Sequence, residues 1–328
     1  MDNKRVTRKD VANEARVSET IVSYVINGNR YVSNDKKIRV KEAIKKLNYI
    51  PHASARLLKG KKTGHILLLT DNISIEYSTS LLNQLYNNDS EGKFIFSLSR
   101  VKNDCSFISR ILTSTIDGII LDSPMLDREL FNKLRNSNIP LIVIMNSEKD
   151  LKNRTISLNA GTFNAMNNAI KLLEQKECKK ILFINSQDNG GKYESFRMLA
   201  FKSYLSSENV ELKKDILNLN TDSSGYYEMI YGELSKKEYD SIITYNDQIA
   251  VVTKKVCRAL GYEIPKDIKL ICFDNTYLSN LFNITAIEIN IENIAKTIIS
   301  ILKKDKESNK EESYFKFETK LIKRESTN

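Results

Sequence analysis

From Gly64 onward the chain repeats one pattern: a short apolar run, a stretch with helical spacing, then another apolar run. Residues 66–69, 94–98, 119–121, 141–145, 181–184, 242–245 and 270–273 are the runs. Each is short and apolar without strict alternation, which reads as a parallel strand buried on both faces. Strands alternating with helices predict a doubly wound α/β architecture. Four runs precede about residue 157 and the others follow it, so the pattern predicts two lobes. At 328 residues the chain suits about two or three domains. With 41% hydrophobic and 28% charged residues it is expected to fold.

The first fifth of the chain differs. Residues 1–62 carry 16 of the 51 Lys+Arg but only 6 of the 41 Asp+Glu, so the whole net charge of +10 sits there. A local excess of this kind favours a nucleic-acid partner, because lysine and arginine displace counterions from phosphates. The segment also has helix punctuation. Thr7 and Asp10 form a capping pair ahead of Val11, Ala12 and Ala15. Ser18 can cap a second helix over 19–26 with Ile21, Val22 and Val25 inward, ended by Asn27-Gly28. Ser33 or Asn34 can cap a third, whose Val40, Ala43, Ile44 and Leu47 share one face. Two short helices with a tight connection, braced by a third, predict a helix-turn-helix head over 1–50. Pro51 and Gly60 then bracket about two helical turns, a hinge over 51–62.

The residues of this head resemble a known family. Thr7-Arg8-Lys9-Asp10-Val11-Ala12, Val17-Ser18, Val22-Ser23, Asn27-Gly28, Val32-Ser33, Arg39-Val40 and Ala43-Ile44, followed by Leu47, Tyr49 and Pro51, look like the DNA-binding head of the LacI/GalR transcription regulators. Asp117 through Leu121, Ile139-Pro140, Asn246-Asp247, Gly261 through Pro265, Phe273-Asp274 and the ending Lys323 through Thr327 extend the resemblance over the body. Two departures stand in the head: Arg16 replaces the usual turn glycine, and Tyr24 replaces an arginine of the recognition helix, which implies an altered operator. His52 replaces an asparagine of the hinge, and in the body Gly161 stands where an aspartate is common.

The resemblance implies an all-α head followed by a periplasmic-binding-protein-like core over 63–328. Its first lobe is expected at about 63–157 plus 290–320, and its second at about 158–289 plus the C-terminus. Glu19, Thr20 and Tyr24 are then placed to read base edges, and Thr7, Ser18, Ser23 and Asn27 to meet phosphates. In the hinge, Ala55, Leu58 and Lys59 are set against DNA, with Leu58 matching the leucine that wedges into the minor groove.

Open α/β sheets bind ligands beyond the carboxyl ends of their strands. Asp71, Asn246, Asp247 and Asp274 follow apolar runs, and Arg197 falls where the family places an effector-binding arginine. A guanidinium facing carboxylates suits vicinal hydroxyls, which both donate and accept. With no tryptophan to stack on a sugar face, that role falls to tyrosines such as Tyr77 and Tyr226.

Other chemistry finds little support. G-x-S-x-G, Walker and G-x-G-x-x-G motifs are absent, and two histidines, His52 and His65, with four scattered cysteines make neither a triad nor a metal cluster. Neither an apolar run of spanning length nor a signal core is present, so the expected compartment is the cytoplasm. The expectation is a homodimeric, possibly tetrameric, non-enzymatic repressor that needs no cofactor. It binds double-stranded operator DNA under the control of a small effector, a sugar or sugar derivative. Two rivals stay open: a response set by a partner protein or phosphorylated metabolite, and a sugar-binding transport protein.

Overall fold

The computed structural model describes residues 6–28, 30–49, 62–71, 76–123, 126–144, 155–159, 161–186, 195–207, 213–219, 223–303 and 313–328. By contacts it divides into two compact units, Met1–Thr63 and Gly64–Asn328.

The first unit is three helices: α1 (Arg8–Glu14), α2 (Glu19–Asn27) and α3 (Asn34–Lys46). They close on Val11, Ala12, Ala15, Val22, Val40, Ala43 and Tyr49. Thr7 and Asp10 form a reciprocal capping box, and the Ser18 hydroxyl accepts from the Ile21 N–H at 3.3 Å. Ser33 occupies the cap position of α3, but its side chain makes no capping bond. Between α1 and α2 the backbone turns at Arg16, whose φ is +52°, while the Val17 N–H donates back to the Ala12 carbonyl at 3.0 Å. That six-to-one bond is a Schellman cap with an arginine in the left-handed position that glycine usually fills. The tight turn survives the missing glycine.

The second unit contains two six-stranded sheets. The first comprises β1 (His65–Thr70), β2 (Ile95–Arg100), β3 (Gly118–Asp122), β4 (Leu141–Ile144) and β5 (Thr155–Asn159), joined by a late strand β11 (Ser313–Lys316). Its helices are α4 (Glu76–Asn88), α5 (Cys105–Thr113) and α6 (Arg128–Arg135). The spatial order is β11-β5-β4-β3-β1-β2, with every pairing parallel. The second sheet comprises β6 (Lys180–Ser186), β7 (Lys213–Leu219), β8 (Ser241–Thr244), β9 (Lys269–Asp274), β10 (Thr285–Glu288) and β12 (Lys320–Ile322). Its order is β12-β10-β9-β8-β6-β7, with β12 antiparallel to β10. Helices α7 (Thr162–Gln175), α8 (Phe196–Ser207), α9 (Tyr226–Leu234), α10 (Asp247–Ala259), α11 (Tyr277–Leu281) and α12 (Ile291–Lys303) complete the order.

All seven apolar runs form strands and each sheet is covered on both faces, but β2 is an edge strand with Ile95 61% exposed, not one buried on both faces. Residues of α4 and α12 pack on one face of the first sheet, and those of α5 and α6 on the other. The second sheet is sandwiched between α7–α8 and α9–α10. The chain therefore passes between the sheets after β5, after β10 and again between β11 and β12. Strands β5, β7, β10, β11 and β12 have no counterpart among the seven runs. Three of them, β7, β11 and β12, are edge strands, where one side of the ladder has no neighbour and polar residues such as Lys316 and Lys320 are tolerated.

Gly161 also acquires a reason. Its φ is +71°, and a Cβ there would lie 2.9 Å from the Phe317 carbonyl oxygen and 3.2 Å from Thr319 Cγ2. The last crossover runs so close that an aspartate does not fit.

Candidate functional site

Both sheets carry the strand order 2-1-3-4-5, and such sheets reverse direction between their first and third strands, opening a crevice at the carboxyl ends. In the first sheet the reversal lies between β1 and β3, where Thr70 pairs in register with Asp122 and Asp71 follows directly. In the second it lies between β6 and β8, where Ser186 ends one strand and Tyr245 follows the other. Topology alone brings Asp71, Asp122 and Tyr245 to the two switch points.

Arg197, in the first turn of α8, is the centre of the second wall. Its Nη2 donates to Asp274 Oδ1 at 2.5 Å and its Nη1 to Asp274 Oδ2 at 3.3 Å, while Nη1 also donates to the Tyr245 carbonyl. The guanidinium lies 4.6 Å from the Tyr245 ring centroid and 4.7 Å from that of Phe273. The two side chains are 12% and 1% exposed. Burial alone would lower the arginine's pKa, but Asp274 overrides it and the net shift is upward. Burial pushes Asp274 up to about 6 even against the arginine, with Asp247 adding to the rise.

Asp274 sits at φ +91° and Asn275 at +52°, two non-glycine residues in left-handed backbone. Such strain persists only where the surroundings over-determine it. Here Asp247 Oδ2 accepts from the Thr276 N–H at 2.9 Å and from its hydroxyl. Arg324 Nη2 donates to Asn275 Oδ1 at 2.6 Å and its Nη1 to the Ile284 carbonyl at 2.8 Å. The C-terminal Lys-Arg-Glu-Ser-Thr segment thus clamps the turn that aims Asp274.

On the first wall, Ser123 donates to Asp71 Oδ1. Asp122 is half-buried, and burial first, then the negative charge of Asp71, pushes it up to about 7; Arg197 opposes this and Asp274 adds to it. Tyr77 on α4 is buried, its phenol raised well above the usual value by burial and then by Asp122 and Asp274. Because these shifts arise across the two sheets, Asp71, Tyr77, Asp122, Arg197, Tyr245 and Asp274 share one crevice.

Of the residues expected to bind an effector, Asp71, Tyr77, Arg197 and Asp274 come together. Asn246 is instead the N-cap of α10, its Oδ1 accepting from the Ile249 N–H at 2.9 Å, and Asp247 braces Thr276. Tyr226 packs into the core on the α9–α10 face of the second sheet, its hydroxyl 3.4 Å from Ser186 Oγ. Asp122, Tyr245 and Phe273 were missed as site residues. Asp122 had a legible signal, an aspartate closing an apolar run, as Asp274 does; a phenylalanine inside such a run has none.

In the head, Glu19 and Thr20 are exposed on the first turn of α2, and Tyr24 follows one turn later with the Arg30 guanidinium 5.5 Å from its ring centroid. Ser18 and Thr7 are exposed caps, Ser23 is buried, and Asn27 is the last residue of α2. Tyr31, 91% exposed before α3, attracted no notice in the sequence. The hinge residues Ala55, Leu58 and Lys59 lie outside the described residues.

A helix-turn-helix head joined to twin sheets that share a polar crevice defines a class: a DNA-binding module on a periplasmic-binding-protein-like body. Comparison with known proteins resolves the class to a family. Residues 7–52 match the family described as bacterial regulatory proteins, lacI family, and 170–327 match the periplasmic binding protein-like domain. The catabolite control protein A of Staphylococcus epidermidis is 30% identical over 283 residues, covering 83% of both chains. The sucrose operon repressor of Streptococcus mutans is 28% identical over 307 residues, covering 90% of this chain and 91% of its own. The lac repressor dimer bound to operator and the anti-inducer ONPF, 19% identical, superposes with a TM-score of 0.83 over 99% of each chain. The chain belongs to the LacI family of bacterial regulatory proteins and is a DNA-binding transcriptional regulator.

Proposed function

We propose that the chain is a cytoplasmic homodimeric repressor whose affinity for a roughly palindromic operator is set by a small polyhydroxylated effector, a sugar or close derivative. The observation that carries the effector half is the nearly buried Arg197–Asp274 pair, its guanidinium set against the Tyr245 and Phe273 rings. Such a pair presents fixed donors beside fixed acceptors, which is what vicinal hydroxyls require. The relative named as a sucrose operon repressor supports the same reading.

For the DNA half, Glu19 and Thr20 project from the N-terminal turn of α2, the part of a recognition helix that meets base edges. A glutamate accepts from a cytosine amino group; Thr20 and Tyr24 offer hydroxyl and apolar contacts. The Ser18 oxygen is engaged with the Ile21 N–H, leaving its hydrogen for a phosphate. Leu58, with Ala55 and Lys59, is assigned to the minor groove through the resemblance alone. Effector binding changes the closure of the lobes and hence the spacing of the paired hinges, a reciprocal coupling of typically ~1–3 kcal/mol.

The test is a mobility-shift titration on the promoter region of its own gene, with and without a panel of free sugars. One sugar should shift operator affinity by about tenfold or more. Arg197→Ala should lose that response while still binding operator in its absence. An unchanged response in the variant removes Arg197 from the site, and indifference to promoter sequence removes the regulator reading.

A further inference from the structure

The recognition helix itself lacks the kind of side chain that reads guanine. Its sequence, Glu-Thr-Ile-Val-Ser-Tyr-Val-Ile-Asn, holds one carboxylate and no lysine or arginine. Guanine presents two acceptors, O6 and N7, on its major-groove edge, and the carboxylate of Glu19 has nothing to donate to them. A guanine in the operator therefore calls for a cation that reaches the same face from another segment.

Arg30 supplies it. Gly28 ends α2 in left-handed backbone at φ +64°, its N–H donating to the Tyr24 carbonyl at 2.9 Å. Two residues further on, Arg30 is exposed and its guanidinium lies 5.5 Å from the Tyr24 ring centroid. The next residue, Tyr31, is met from α3 by Lys37, 6.0 Å from its ring centroid, so both flanking helices hold the connection. Tyr24 stands four residues after Thr20, which puts the two on one face of the helix. Arg30 is thus carried to the face already assigned to base edges. Other cations of the head are bound to carboxylates, Arg39 to Asp35 at 3.2 Å and Lys46 to Glu14 at 2.7 Å. A ring holds a guanidinium through charge and its flat face, which spends none of the N–H fork on an acceptor.

We propose that Arg30 is a base-reading residue that donates to O6 and N7 of a guanine in each operator half-site, with Tyr24 as the residue that positions it. This rests on the DNA half of the reading above and adds a reader from outside the recognition helix. The competing partner for an exposed arginine is a phosphate oxygen, which adds affinity on every sequence and no discrimination.

Selection of the full chain on a randomised duplex library tests it. The unaltered protein should enrich sites with a guanine in each half-site that Arg30→Ala no longer specifies. On the enriched duplex Arg30→Ala should bind about tenfold or more weaker, with little change on a duplex whose guanine has been replaced. Arg30→Lys keeps the charge without the fork and should lose part of the same preference. Tyr24→Ala should relax that same position and Tyr24→Phe, which keeps the ring, should restore it. Should Tyr24→Ala not fold, the two variants of the exposed Arg30 still decide the matter. An unchanged preference in Arg30→Ala overturns the inference and leaves the regulator reading intact. So does an equal loss on every sequence with a salt slope shallower by about one, which would make Arg30 a phosphate contact. A Tyr24→Ala variant that relaxes a different position overturns the positioning role. Enrichment of no sequence by the unaltered protein overturns the regulator reading and this inference with it.

Discussion

Six described non-glycine residues adopt positive φ: Arg16, Asn48, Glu177, Asp274, Asn275 and Asn283. A chain with only 11 glycines must turn its helix ends on other residues. Arg16, Asn48, Glu177 and Asn283 each follow a helix cap, and the next N–H closes a six-to-one bond at 2.8–3.1 Å. A left-handed arginine costs ~1–2 kcal/mol, part of which glycine would lose again through the entropy of its unfolded chain. Arg16→Gly should therefore stabilise the head by about 0.5–1 kcal/mol, seen as a higher melting temperature of the head transition in calorimetry. Asp274 and Asn275 differ, because their strain lies inside the site. The same residues set the pH response. In the unfolded chain both Asp122 and Asp274 titrate near 3.8, whereas in the fold they titrate at about 7 and about 6. Between these values the folded state binds more protons, so these groups make stability fall as pH rises from about 4 to 7 and then level off. The melting temperature of the body should decline over that window, and Asp122→Asn should reduce the decline. An unchanged slope in the variant would mean that Asp122 is solvated like a surface carboxylate.

At the scale of elements, the C-terminal segment shows how a peripheral stretch governs a central one. Ser326 Oγ donates to the Leu270 carbonyl at 2.6 Å and accepts from the Thr285 N–H at 2.8 Å, while Arg324 holds Asn275. Replacing Arg324 with Ala removes the side-chain donor to the buried Ile284 carbonyl and leaves the Asn275 amide oxygen only the longer bond from the Ser279 hydroxyl at 3.4 Å. The expected cost is about 1–3 kcal/mol in denaturant unfolding of the body, with weaker effector binding because Asp274 loses its backing. Unaltered unfolding and unaltered binding together would make the clamp ornamental. The resemblance marked Lys323 through Thr327 as a family ending, but nothing in those residues disclosed that they stitch β9, β10 and the Asp274 turn together. Strands β7, β11 and β12 were illegible for a related reason: edge strands need little apolar content, so periodicity is weak there.

For the whole molecule, the charge asymmetry separates two jobs. A protein lacking residues 1–62 should lose operator binding in mobility shift yet melt cooperatively and keep its sugar response, since the 64–328 body has complete cores of its own. Loss of cooperative melting in the truncated protein would show that the body depends on the head. The basic head, the capping of its first two helices and seven of the strands were readable from residue order, because charge, capping residues and apolar runs leave local signatures. Asp274 was named from its place after an apolar run and Arg197 through resemblance, but their pairing, 77 residues apart in the chain, belongs to the fold. Tyr245 and Phe273 joined the site only when Arg197 folded against them, and Asn246 proved to be a helix cap. Local order determined the elements and the distribution of charge. Which carboxylates come together was decided by tertiary structure, because two sheets of mostly parallel strands bring strand ends far apart in sequence to one crevice.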